Sequence, residues 1–133
     1  MKLKKELVAE VVAEASRRMS DANYSAVLVG AFVEHQTPAS QFISAHEDEL
    51  GGAEAIIGVI FHAALVAAAF ERGSGRTARV LSYEDLDAVA RGDTLVALAT
   101  AQPAMHEFIT SNVEHVASAK LLALLALAFD HTM

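Results

Sequence analysis

The chain contains no cysteine and no tryptophan, and only two of its residues are proline. Without cysteine it has no disulfide framework, no cysteine-ligated zinc or iron–sulfur centre and no thiol nucleophile. Positive charge is also scarce, because 10 Lys and Arg face 17 Asp and Glu and the formal net charge is -7. This charge opposes a phosphate backbone, so the composition disfavours nucleic acid as a partner.

What the chain has in excess is apolar surface. Hydrophobic residues make up 53% of its 133 positions, and 27 of these are alanine. A chain of this length and composition can bury enough surface to offset the entropy of ordering, which argues against disorder. The length fits a single domain spanning residues 1–133.

No segment has the pattern of a secretory signal or a membrane span. Glu6, Glu10 and Glu14 interrupt the apolar positions after the basic N-terminus. The longest apolar stretch, residues 55–70, includes His62 and is shorter than the roughly 18 residues of a spanning helix. We therefore expect a core helix here, no membrane partner and a cytoplasmic protein.

Apolar residues recur at three- and four-residue steps throughout, and no convincing alternating strand is present. The fold class is therefore all-α, a compact bundle of about seven or eight helices. Two segments, residues 53–72 and 118–130, are apolar on every side and are expected to be the buried central helices. Predicted helix starts are Thr37 before Pro38, a capping box of Ser82 with Asp85, and Asp93.

Residues 36–50 align with residues 102–116 at an offset of 66 positions. Gln36/Gln102, Phe42/Phe108 and Ile43/Ile109 are identical pairs, and each block lies between apolar helices. The alignment predicts an internal duplication, about 21–72 and 83–133, with two halves around a pseudo-twofold axis. Three identities in fifteen positions are close to chance in an alanine-rich chain, so an undivided domain remains the alternative.

Two of the six histidines, His46 and His62, lie on apolar helix stripes, and the alignment pairs His46 with Asn112. Together with His115, these side chains are the candidate lining of a pocket for a small apolar ligand. The alternative is that they are core polar groups bonded to backbone carbonyls, since an unsatisfied buried polar group is costly.

Three arginines, Arg72, Arg76 and Arg79, surround a glycine-rich turn and form a weaker candidate site for an anion. The turn lacks the spacing and lysine of a phosphate loop. The following acidic run, Glu84, Asp85 and Asp87, could neutralise the same arginines.

Neither a Glu-x-x-His step nor a His-Glu-x-x-His motif is present. His46 and Glu49 are spaced so that they could share an ion, but the acidic run around them is more typical of a solvated helix face, so neither a metal nor another cofactor is expected.

Three classes of function remain open. The favoured hypothesis is a small acidic cytoplasmic protein that acts through protein–protein interaction or regulation and forms a homodimer, because no catalytic motif is recognised. The second is a small-molecule-binding bundle using His46, His62 and Asn112. The least favoured is a histidine-based enzyme, which would need a carboxylate beside one histidine.

Overall fold

Two central helices pack against each other, and the remaining helices surround them. The structure is a computed structural model that describes residues 2–133, which form nine helices and no strand. In chain order the helices are α1 Lys5–Arg18, α2 Tyr24–His35, α3 Thr37–Ser44, α4 Glu47–Leu50, α5 Ala53–Ser74, α6 Tyr83–Val89, α7 Thr94–Ala101, α8 Pro103–Asn112 and α9 Val116–Thr132. The all-α prediction is confirmed, with one helix more than the upper estimate.

The central pair is α5 and α9, the two segments predicted to be buried. α5 packs against α1, α2, α3 and α4, whereas α9 packs against α6, α7 and α8 as well as α4. Phe70 of α5 and Phe129 of α9 are fully buried, and their rings stack with centroids 6.3 Å apart. The frequent alanines let these helices approach closely, so much of the apolar excess is helix–helix contact.

Among the described residues, α5 is the one helix whose length and hydropathy would suffice to cross a membrane. It packs against α1, α2, α3, α4 and α9. Its exposed residues are confined to Ala53, Glu54 and Ile57 near its start and Arg72 near its end. α5 therefore packs as a core helix of this bundle.

The extra helix arises because the helical segment that begins at Thr37 is divided at His46. The His46 backbone N–H bonds the Ile43 carbonyl, and the imidazole Nδ1 bonds the Phe42 carbonyl at 2.7 Å. The side chain therefore takes the carbonyl that a continuing helix would pair with a backbone N–H. α3 ends before this point, and α4 follows as a single turn.

Two of the three helix starts that the sequence predicted have the expected side-chain cap. Ser82 and Asp85 form the reciprocal capping box, and Asp93 accepts the N–H groups of Leu95 and Val96. The expected cap at Thr37 is wrong, because Gln36 occupies the N-cap position. The Thr37 hydroxyl instead donates to carbonyls of the preceding turn.

Candidate functional site

His62 is held in one orientation on the side of α5. Its Nδ1 lies 2.8 Å from the Gly58 carbonyl, one turn back along the helix. A carbonyl oxygen can only accept, so Nδ1 carries the proton and Nε2 of the neutral ring keeps its lone pair. The ring packs at a tilt against Phe108 of α8, with centroids 6.2 Å apart. In the neutral ring, Nε2 is therefore left as a hydrogen-bond acceptor.

His62 lines a cavity of about 250 Å³ that brings together three of the four residues of the candidate pocket. Asn112, the last residue of α8, and His115, the residue before α9, line the same cavity. His115 Nδ1 is 3.1 Å from the hydroxyl of Ser118, which is itself buried. We call this space the histidine cavity. Its remaining lining is largely apolar and consists of Leu50, Ala55, Gly58, Val59, Val113, Glu114, Ser118 and Leu122.

His46 does not reach the histidine cavity. It lines a second cavity of about 350 Å³, between the α3–α4 junction and α9. Its other polar and charged neighbours there are Glu49, Asp93, Thr94 and Lys120. His46 and Asn112 are nevertheless held alike, because the Asn112 amide donates to the Phe108 carbonyl at 2.7 Å. Both polar side chains thus bond the carbonyl of a phenylalanine four residues earlier, but Asn112 is exposed and His46 is only partly buried, so neither is a core residue.

Sequence reasoning did not find an apolar groove of about 300 Å³ between α1 and α8. Val8 and Val12 line one side and Phe108 the other, and Asn112 stands at its edge. Lys5 and Glu107 also line it and form an ion pair at 3.4 Å. The groove was missed because it depends on the packing of two helices that are far apart in sequence.

The three arginines of the candidate anion site have separate partners. Arg72 pairs with Glu14 of α1 at 2.6 Å, Arg79 pairs with Asp85 at 2.9 Å, and Arg76 donates to the Met133 carbonyl. The guanidinium of Arg72 holds the pKa of the Glu14 carboxyl below its ordinary value. An anion bound here would have to compete with these internal partners.

Two arrangements used by histidine-based enzymes and metalloenzymes are absent from the part of the chain that the structure describes. Within residues 2–133 no imidazole nitrogen lies within 4.0 Å of a carboxylate oxygen. Nor do any three His, Asp or Glu side chains in that range form a group able to hold a metal ion. The histidine cavity can supply apolar contact and a few hydrogen bonds, which is the chemistry of binding.

A further feature is the outer face of α2, which carries no charge. Residues 22–33 include no Asp, Glu, Lys or Arg, and Phe32 is the only buried residue of the helix. The exposed positions of this uncharged face are Ala26, Val27, Gly30, Ala31 and Val33. Val27 is the most exposed large hydrophobic side chain among the described residues, at 67%. In a protein of net charge -7, an uncharged apolar surface of three helical turns is a candidate interface.

In the sequence, the uncharged segment is flanked by two arginines and Asp21 on one side and by Glu34 on the other. Arg17 and Arg18, at the end of α1, lie close in sequence before α2, whereas Glu34 lies in its last turn. Arg17 and Glu34 form no ion pair within residues 2–133. Asp21 also lies before α2, but its carboxylate accepts the Asn23 N–H at 2.9 Å.

Comparison of the chain with protein-family models, curated proteins and solved structures finds no match.

Proposed function

We propose that the protein acts through protein–protein association and pairs with a second copy of itself across the uncharged face of α2. The observation that carries the proposal is the composition of that face. Five neighbouring positions on it are apolar and exposed, and no like charges there would repel a second acidic copy. Burial of such a face removes apolar area from water at little electrostatic cost.

The charges at its two ends favour an antiparallel pairing with twofold symmetry. In that pairing, Arg17 of one copy lies near Glu34 of the other, and the same contact recurs at the opposite end. A twofold interface places the same patch on both partners, so it must be complementary to itself. An uncharged centre with a basic end and an acidic end meets this requirement.

The size of the face sets the strength of the dimer. A helix of 12 residues is about 18 Å long, so it covers less than the roughly 1,600 Å² of a standard stable interface. We therefore expect a dissociation constant on the order of micromolar, at which assembly responds to protein concentration. This dependence on concentration is the regulatory property that the proposal assigns to the protein.

The first experiment compares two valine substitutions by sedimentation equilibrium. Val27→Glu places a charge in the centre of the face and should abolish the dimer, because two carboxylates would be buried together. Val116→Glu is the matched control, since Val116 is 61% exposed at the start of α9 and lies outside the face. It should dimerise like the wild type. Equal dimerisation of both variants would overturn the proposed interface.

A charge exchange tests the antiparallel arrangement separately. Arg17→Glu alone and Glu34→Arg alone should each weaken the dimer, because each places like charges opposite one another. The double variant should recover the wild-type affinity. If the double variant is no stronger than the single variants, the antiparallel pairing is wrong.

Small-molecule binding is the second candidate, and the Nε2 acceptor of His62, which lines the histidine cavity, favours it. A probe of matching chemistry is phenol, whose ring would pack against apolar lining residues such as Val59 and Leu122 and whose hydroxyl would donate to Nε2. Titration followed by amide NMR should shift resonances around the histidine cavity. His62→Leu should remove these shifts, and His131→Leu, on the exposed end of α9, should leave them unchanged. No shift in the wild type would remove this candidate.

The cytoplasm is the location we propose, with the acidic composition and the packing of α5 inside the protein as support. The full chain should accordingly stay in solution without detergent. Recovery only in the membrane fraction would contradict this location.

A further inference from the structure

Two buried glutamines hold the chain at corresponding places in its two parts. We call residues 2–75 the first half and residues 76–133 the second half. Gln36 lies between α2 and α3, and Gln102 lies between α7 and α8. Each is at most 1% exposed, and each donates its backbone N–H to the carbonyl four residues earlier at 2.7 Å. In both cases the next helix has proline in its first turn.

Each of these glutamines binds the lead-in segment of the other half. The Gln36 side-chain oxygen accepts the N–H of Leu81 at 2.8 Å, and the Gln102 side-chain oxygen accepts the N–H of Leu3 at 2.8 Å. Leu81 and Leu3 are both buried, and each stands two residues before the first helix of its half, α6 or α1. We call these two hydrogen bonds the glutamine clasps. The contacts are reciprocal, because each half holds the lead-in segment of the other.

A second polar pair repeats at the next contact. The first residue of α1, Lys5, pairs with Glu107 at 3.4 Å, and the first residue of α6, Tyr83, donates to Gln41 at 3.0 Å. Glu107 and Gln41 each lie five residues after the clasping glutamine. These two contacts join α1 to α8 and α6 to α3, so both cross between the halves.

The helices of the two halves also pack in corresponding ways. α2 packs on α5 within the first half, and α7 packs on α9 within the second. α5 and α9 then pack against each other between the halves. α4 has no counterpart among the described helices, and α1 and α2 are longer than α6 and α7. The correspondence therefore rests on order and contacts rather than on equal lengths.

From these reciprocal contacts we infer that the chain is a dimer joined into one polypeptide. The surface between α5 and α9, together with the two glutamine clasps, is an interface of the kind that docks one half on a second copy of a similar half. Contacts in which residue i of one subunit meets residue j of the other, and j meets i, are the signature of a twofold interface. A single undivided domain has no reason to repeat side-chain contacts in this way.

The test cuts the full chain after it has folded. A site for a specific protease is placed in the exposed turn of residues 75–77, and the folded protein is nicked there. The two pieces should stay together at native mass, and their melting temperature should fall on dilution, as for a two-chain complex. Separation of the pieces under native conditions would overturn the inference.

The reciprocity is tested by substitutions in the nicked protein. Gln36→Leu and Gln102→Leu should each weaken the association of the pieces at least tenfold. Thr100→Leu is the control, because Thr100 is exposed on α7 and its hydroxyl bonds only the Val96 carbonyl of its own helix; it should change the association less than threefold. A loss confined to one of the two buried glutamines would contradict a symmetric interface.

Hydrogen exchange on the uncut chain provides a readout if a nicked variant does not assemble. Gln36→Leu should speed exchange of the Leu81 amide and leave the Leu3 amide protected, and Gln102→Leu should do the opposite. Protection of Leu81 and Leu3 that is unaffected by either substitution would show that the clasps do not hold the halves together.

Discussion

Gln36 fixes the position of Leu81, which is 45 residues away in the sequence. Its side chain forms hydrogen bonds to the backbone on both sides of Val80. The glutamine oxygen accepts the Leu81 N–H at 2.8 Å, and its amide nitrogen donates to the Arg79 carbonyl at 2.9 Å. One buried side chain thereby satisfies two backbone groups of an extended segment that has no strand to pair with.

Gln36→Leu should destabilise the protein by about 2–3 kcal/mol, because it leaves the buried Leu81 N–H without its partner. The measurement is urea unfolding monitored by circular dichroism. Gln41→Leu is the control at an exposed glutamine, and it should cost less than about 0.5 kcal/mol. An equal loss of unfolding free energy at the two positions would show that the buried Gln36 hydrogen bonds stabilise the fold no more than an exposed glutamine does.

Ser40→Ala should stabilise the protein. Ser40 is buried in α3, and its hydroxyl is the one buried side-chain polar atom within residues 2–133 that has no hydrogen-bond partner. Removal of an unsatisfied hydroxyl from an apolar site should raise the free energy of unfolding by about 1 kcal/mol. Ser44→Ala, at the exposed end of the same helix, should show a change within about 0.5 kcal/mol. A destabilised Ser40→Ala protein would contradict the packing described.

Asp85→Asn should weaken the start of α6 and change how stability depends on pH. The hydrogen bond from the Ser82 backbone, with help from the Ser82 hydroxyl and Arg79, holds the pKa of Asp85 below its ordinary value of 3.8. The ionised carboxylate therefore stabilises the fold at pH values above 3.8 and loses this contribution as the pH falls through its lowered pKa.

At pH 7 the cost of Asp85→Asn should be about 1 kcal/mol, the usual magnitude for a helix cap. Wild type and variant should then converge in stability as acid titrates the carboxylate. Unfolding curves at a series of pH values measure the difference. A difference that is the same at pH 2 and pH 7 would show that the charge of Asp85 has no role.

Two glycines should respond oppositely to alanine. Gly75 ends α5 with φ of +71°, which an alanine adopts only with strain, so Gly75→Ala should destabilise by about 1 kcal/mol. Gly58 lies inside α5, and a Cβ there would meet no atom within 4 Å, so Gly58→Ala should stabilise by about 0.5–1 kcal/mol. Thermal melts should show a lower melting temperature for Gly75→Ala and a higher one for Gly58→Ala. Shifts of both melting temperatures in the same direction would contradict the different roles given to the two glycines.

The parts of this fold that the sequence predicted are those with a local cause. The Ser82–Asp85 capping box, the Asp93 cap and the two buried helices all follow from neighbouring residues and from periodicity. The end of α5 lies slightly beyond the predicted residue 72, because Gly73 stays helical and Gly75 adopts the left-handed conformation.

The site was predicted less completely, because tertiary packing decides it. The apolar stripes singled out His62, which lines the histidine cavity, but they could not show that His46 faces a different cavity. The importance of Gln36 and Gln102 was also hidden, since a glutamine before a proline-started helix looks like an ordinary polar loop residue. The one signal for them was their identity in the alignment of the two blocks. The uncharged face of α2 was overlooked because its apolar stripe also fits burial.

The most direct test of the proposed association is sedimentation equilibrium of the full wild-type chain over a range of about 1 to 300 µM. The proposal predicts a reversible equilibrium in which the mass rises from 14.1 kDa towards twice that value as concentration increases. A single species of 14.1 kDa at every concentration in this range would contradict it.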